Sequence, residues 1–319
     1  MSSSSTPDGP EPVPQLDLED IKTAEQEVEA EHERALGVQR GRQKQGRGWV
    51  TFAWAFPGFA WLAFYLIAPL VFIVLMSFWT PNSATGFVRH WTTSNYSDLL
   101  HPFSLNNAYW KDMLRSFEIS AIAVAACLVF GFPVAYFLAM KVQKLQYQIA
   151  LFILALAPFW TSFLVRSVAW TYPLSDVLSR FGVTPPSTTS VRLAMIQLYI
   201  LFMVTPLFFT LSQVDRTAME AARDLGGNWW QMFREVILPQ ILPGIVIGSI
   251  FIFVLTMGEY GTVLVVGQNY VQSVGTIVNS YITGAVQYPQ GAAAAVLLVL
   301  ALIAGVFAIT RFSNLREDL

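Results

Sequence analysis

Charged side chains are scarce in this sequence. Asp, Glu, Lys and Arg make up 13% of its 319 residues, against about 25% in soluble domains. Cysteine is nearly absent. Cys127 alone excludes an intrachain disulfide and any multi-cysteine metal site, and its apolar surroundings mark it as a small core or lipid-facing residue. The three histidines, His32, His90 and His101, are scattered and show no metal-ligand spacing. No G-x-x-x-x-G-K-[ST] loop exists to cradle a nucleotide, and no H-E-x-x-H or G-x-S-x-G exists to hold zinc or a nucleophile. An enzyme is therefore not expected, nor a cofactor or metal bound by this chain, nor a nucleic-acid partner. A basic start followed by an early apolar run is also missing, which argues against a secretory signal peptide.

What is present is hydrophobic: 54% of the residues are apolar. Residues 1–35 hold ten acidic and two basic side chains, whereas residues 36–319 hold eleven and seventeen. The first 48 residues are rich in Ser, Pro, Glu and Gln, cannot bury a core, and are expected to form a disordered tail. Beyond them, six segments reach the roughly 20 apolar residues that a bilayer crossing needs. They are Trp49–Phe78, Ser116–Met140, Tyr147–Val165, Val191–Val214, Ile241–Val266 and Gly291–Thr310. The expected fold is an all-α integral membrane protein with six transmembrane helices over residues 49–319. Pro69, Gly131, Pro133, Pro158, Pro206, Gly258 and Gly261 interrupt the spans. Broken backbone at membrane depth persists where it is buried in protein or lines a cavity, so the set suits a transporter better than an anchor.

Basic residues orient the chain. Arg40, Arg42, Lys44 and Arg47 precede the first span, Lys141 and Lys144 join spans two and three, Arg216, Arg223 and Arg234 join four and five, and Arg311 and Arg316 follow the sixth. With six spans these segments share one side, so both termini are expected in the cytoplasm, with outer loops at about 79–115, 166–190 and 267–290.

The longest cytoplasmic connection is SQVDRTAMEAARDLGGNWWQMFREVILPQILPGI, residues 212–245. Asp215 can cap a helix that carries Thr217, Glu220 and Ala221. Gly226-Gly227 can end that helix. Asn228 can cap a second helix, Trp229–Val236, with Pro239 and Pro243 at the beginning of span five. This pattern predicts a stiff elbow over residues 215–240. Its spacing resembles the EAA loop of ABC importer permeases: Glu220-Ala221-Ala222, three residues, Gly226, nine residues, then Val236-Ile237-Leu238-Pro239, with Val236 the one departure from the family's Ile. The resemblance implies the type I importer fold, with a core region of about 112–310 and a coupling helix that docks on a separate ATPase subunit. Glu220 would offer a carboxylate to that partner, Gly226 would set the angle, and Trp229, Trp230 and Phe233 would supply apolar contact. ATP and magnesium would sit on the partner. An amphipathic hairpin resting at the headgroups is the plain alternative for the same residues, and it does not account for the spacing.

Other stretches are similar to spermidine/putrescine-type permeases. They are Pro158 through Trp170 (PFWTSFLVRSVAW), Phe132 through Ala139 (FPVAYFLA), Trp91 through Tyr96 (WTTSNY) and Gly258-Glu259-Tyr260. The likeness covers about residues 50–312. It implies a bacterial inner-membrane complex with a second permease, as a heterodimer, two ATPases and an external solute-binding protein, in contact with membrane lipid and carrying a small molecule. A polyamine is the expected cargo, with an amino acid-like compound or a metal chelate as alternatives. Two acids fall inside spans. Glu259 is expected on the translocation path with Trp160 and Tyr260 nearby, or else in a structural pair. Glu118 has Arg115 one turn away to neutralise it. An ion-coupled secondary transporter would show internal repeats or chains of intramembrane charge, and neither is evident.

Overall fold

The computed structural model describes residues 47–82, 84–100 and 108–317. Residues 1–46 of the expected disordered tail, with His32, and also His101, lie outside these residues, whereas Arg47 and Gly48, expected in the tail, belong to the first helix. The chain divides into two compact units at Leu70/Val71. Helix α1 (Arg47–Met76) runs through the division. In the first unit it is an apolar rod on which the rings of Trp61 and Tyr65 meet at 4.8 Å.

The second unit is built on three long helices, α3 (Ala108–Tyr136), α7 (Thr188–Ser212) and α10 (Leu238–Met257). Lipid offers no hydrophobic drive to pull helices together, so close packing has to do it. Here the sequence supplies small residues at the crossings. A Cβ on Gly244 of α10 would lie 2.9 Å from the Pro206 carbonyl oxygen of α7, and one on Gly248 would lie 3.2 Å from the Met203 Cα. Met203, Val204, Leu207 and Leu211 of α7, Cys127 and Ala135 of α3, and Ile241 and Ile252 of α10 fill the core. Cys127 is a core residue with no exposed surface. Replacing Gly244 by Val is expected to lower the stability of the folded subunit by about 1–3 kcal/mol through overpacking, read as a lower unfolding temperature in detergent, with Ala intermediate.

Five helices are long and apolar enough to cross a bilayer, and the count reaches six when one bent pair is taken as a single span. That pair is the third span. Helix α4 (Leu145–Leu156) tightens into a 3₁₀ turn at Ala157–Trp160, and α5 (Phe163–Thr171) leaves at 75°. Proline explains the break, since Pro158 donates no backbone hydrogen bond, and its carbonyl accepts instead from both the N–H and the hydroxyl of Thr161. The short helix α6 (Ser175–Ser179) follows it. The fifth span also departs from the expected Ile241–Val266. α10 stops at Met257, residues 258–260 are non-helical, and α11 (Gly261–Gly267) begins anew.

The loop after the first span holds structure that the sequence did not announce. Strands β1 (Trp79–Asn82) and β2 (Gly86–Trp91) form an antiparallel hairpin, followed by α2 (Ser94–Leu100). Buried Asn95 ties them together, its amide donating at 2.8 Å to the carbonyls of Ser77 and Trp79. His90 lies exposed on β2. Helix α12 (Val274–Thr283) packs on α13 (Tyr288–Glu317), the sixth span.

Candidate functional site

The elbow forms from its own sequence. Asp215 caps α8 (Arg216–Asp224), its carboxylate accepting from the Thr217 N–H at 2.8 Å. Leu225 ends that helix, and Gly226 adopts φ +80°, a left-handed geometry that glycine accepts without a Cβ clash. The Gly227 N–H then reaches the Ala222 carbonyl at 3.0 Å and the Gly226 N–H reaches that of Arg223 at 2.9 Å, the paired bonds of a Schellman stop. Asn228 caps α9 (Trp229–Met232) through a reciprocal bond with Gln231.

The second helix is not a separate piece. α9 passes through a π-turn, Phe233–Ile237, straight into α10, so Trp229–Met257 is one 29-residue helical rod. Gln240 on that rod braces the elbow, accepting from the Asp215 N–H at 3.1 Å and donating to the Val236 carbonyl at 2.9 Å. Met232 and Ile237 are buried, and Met219 packs against the same core. On the outer side, Glu220 and Ala221 are exposed, and Ala222 is half-buried beside a groove of about 300 Å³ that also involves Leu225, Gly226 and Gly227. Of the three expected aromatic anchors, Phe233 is turned inward against Phe132, and Trp229 meets Tyr136 edge-on. Trp230 stays 65% exposed, and Leu225, which the sequence reading passed over, is 90% exposed. Leu238 packs on the core, and Pro239 is exposed at the first turn of α10.

A second site lies where the two broken spans meet. α5 and α11 cross closely: a Cβ on Gly261 would lie 2.9 Å from the Phe163 ring, and the Ser167 and Thr262 hydroxyls are 3.4 Å apart. Beside this crossing is a cavity of about 710 Å³. Its walls are Phe159, Trp160, Thr161, Ser162 and Phe163 from the third-span break, Arg166 one turn on, Leu198, Tyr199 and Phe202 from α7, and Glu259 from the fifth-span break. Glu259 accepts from the Tyr199 hydroxyl at 2.6 Å and from the Thr262 N–H at 2.9 Å. The second bond places a carboxylate at the first turn of α11, where the peptide dipoles favour negative charge. Trp160 is 88% exposed on the cavity rim.

The two breaks bring Trp160 and Glu259 to one cavity. Tyr260 is not on its wall. It takes the N-cap position of α11 and is half-exposed, because consecutive residues at a helix start point in different directions. Tyr199 and Arg166 were not singled out from sequence. Arg166 carried a signal, being a lone base directly after an apolar run, whereas nothing in the sequence marks Tyr199. The expected Arg115–Glu118 neutralisation is corrected. Glu118 pairs with Arg192 of α7, and Arg115 sits 3.5 Å from Asp112. A rotation of one helical turn separates residues 115 and 118, but the nearer opposite charge for Glu118 comes from across the helix crossing.

No protein-family model matches the chain. Curated relatives do. The spermidine/putrescine transport system permease protein PotB of Escherichia coli K12 is 30% identical over 255 residues, which span 75% of this chain and 89% of that protein. PotB of Haemophilus influenzae is 28% identical over 269 residues, 81% of this chain and 92% of that one. The inner membrane ABC transporter permease protein YdcU of Escherichia coli K12 is 27% identical over 261 residues, 71% and 82%. Among solved structures, an amino acid ABC transporter gives a TM-score of 0.46 at 16% identity, covering 70% of this chain and 95% of that one. With three-quarters of this chain matched to a 30%-identical relative, and with apolar helices that make it a multi-pass membrane protein, this chain belongs to the PotB-type family of ABC transporter permeases, whose members are transport subunits.

Proposed function

We propose that this chain is one of two permease subunits of an ATP-driven importer, and that it carries a polyamine past the paired breaks. The observation that supports this most directly is mechanical. The elbow at Gly226-Gly227 opens into a single rod from Trp229 to Met257, and the rod ends at the break that holds Glu259. At 1.5 Å per residue it is roughly 43 Å long. A push on the elbow is thereby delivered to one wall of the cavity. The ATPase subunit would seat on exposed Glu220, Leu225 and Trp230, with Trp229 at the edge. ATP and magnesium belong to that partner, and its closure would switch the cavity between the two sides.

In this reading the basic loops, the elbow and both termini face the cytoplasm. The hairpin and α2 would face a binding protein on the other side, and the path would be completed by a sister permease. The cavity suits an organic cation in part. Glu259 supplies a carboxylate, and Trp160, Phe159 and Phe202 supply aromatic faces for cation–π contact. Arg166 favours a second reading, a cargo with an anionic group such as an amino acid-like compound or metal chelate.

Reconstituting the chain with its ATPase, sister permease and binding protein in liposomes tests both. Radiolabelled spermidine or putrescine is expected to accumulate only with ATP. Accumulation by this chain alone under an ion gradient would show a secondary transporter instead, and uptake restricted to anionic or zwitterionic solutes would favour the second reading.

A further inference from the structure

The cavity at the two breaks contains a cation of its own. Arg166 lines it from α5, with its Nε buried and without a hydrogen-bond partner, and the guanidinium has no ion-pair partner among the described residues. Glu259 lines the same cavity. Among the described residues its side-chain bonds come from neutral donors, Tyr199 and Thr262, and no contact pair cancels its charge either. An unpaired charge in a low-dielectric setting is costly. Two opposite charges on one cavity wall relieve each other at a distance, and they do so without the contact that would close the space between them.

That arrangement differs from a structural salt bridge. Glu118 and Arg192 form a direct pair elsewhere in the same bundle, so the fold uses contact pairs where it needs only a tie. In the cavity, Tyr199 and the α11 backbone hold Glu259 still, while the Arg166 Nε has no hydrogen-bond partner and the guanidinium no ion pair among the described residues. We infer that Arg166 is a tethered counter-cation: it balances Glu259 while the cavity is empty, is displaced from that role by an ammonium group of the cargo, and resumes it when the cargo leaves. This rests on the polyamine reading above. It makes Arg166 a specificity-determining residue that lowers affinity for cations and speeds their release.

The test is uptake kinetics of radiolabelled spermidine in the reconstituted complex, for the wild-type chain, Arg166→Gln and Arg166→Lys. Arg166→Gln should lower KM, by about three- to tenfold for the loss of one charge interaction across a partly solvated cavity, and should lower kcat as well, because nothing replaces the departing cation. Arg166→Lys keeps the charge but not the planar fork, and should stay within about twofold of wild type in both constants. A higher KM in Arg166→Gln, or equal damage in both variants, overturns the inference, the first pointing to contact with an anionic group and the second to a structural role for the fork. Unchanged kinetics in Arg166→Gln overturns it too. No spermidine uptake by the wild-type complex overturns the cargo reading and this inference with it, whereas wild-type uptake with an unresponsive variant overturns this inference alone.

Discussion

Replacing Gly226 by Val is expected to abolish most ATP-driven uptake while the subunit still folds and reaches the membrane. Gly226 sits at φ +80°, where a β-branched side chain is strained by about 1–3 kcal/mol. It is exposed and has open space around its Cβ direction, so the loss does not come from overpacking. The strain is relieved if the elbow opens. Opening gives up the two Schellman bonds to Ala222 and Arg223 and swings α8 away from the rod. A strain of that size lowers the population of the observed elbow by about fivefold to a hundredfold. Glu220 and Leu225, carried on that arm, then no longer present one surface to the ATPase. The measurement has three parts: copurification with the ATPase subunit, ATP hydrolysis, and uptake. The expected pattern is weakened copurification, or hydrolysis that continues without uptake. Full uptake in Gly226→Val, at wild-type expression, would sink the idea that the elbow transmits force. Gly226→Asn is a useful companion, since Asn tolerates the left-handed region better than Val, and it should retain more uptake.

The second large effect is expected from Glu259→Gln. The substitution keeps an oxygen that can accept from Tyr199 or Thr262, and it removes the charge. Hydrogen bonds to a charged acceptor contribute about 1.5–3 kcal/mol, against about 1 for neutral pairs, so α11 should remain capped, at reduced strength. Uptake of a cationic solute should fall by about tenfold or more if the carboxylate meets the cargo. Tyr199→Phe separates the two roles of Glu259. It removes the 2.6 Å bond that positions the carboxylate but leaves the charge, so it should disturb uptake less than Glu259→Gln while lowering the unfolding temperature by a comparable amount. Normal uptake in Glu259→Gln at normal expression would remove this residue from the path and leave it as the cap of a broken helix.

These two experiments address regions that were legible to different degrees. The elbow could be read almost residue by residue. Asp215, Gly226-Gly227 and Asn228 are local signals, because a cap or a left-handed stop depends on residues within a few positions of each other. The interior of the rod was less legible. Pro239 and Pro243 suggested a boundary between the elbow's second helix and span five, yet the helix runs on through a π-turn at Phe233–Ile237. Pro239 falls in the first turn of α10, and the extra residue of a π-turn is not written in hydropathy.

Spans one, two, four and six were visible as long apolar runs, and the sequence determined them because lipid demands about 20 apolar residues per crossing wherever the chain passes. It also determined the family resemblance, through the fixed spacing from Glu220 to Pro239. Only the tertiary structure decided where Glu118 finds its opposite charge, that Phe233 faces the bundle and Leu225 the outside, and that Arg166, Tyr199 and Glu259 share one cavity. Each of those outcomes depends on how α3, α5, α7 and α11 cross. Crossing angles follow from the fit of small residues such as Gly244 and Gly261 against side chains far away in the chain, and such a fit has no local signature.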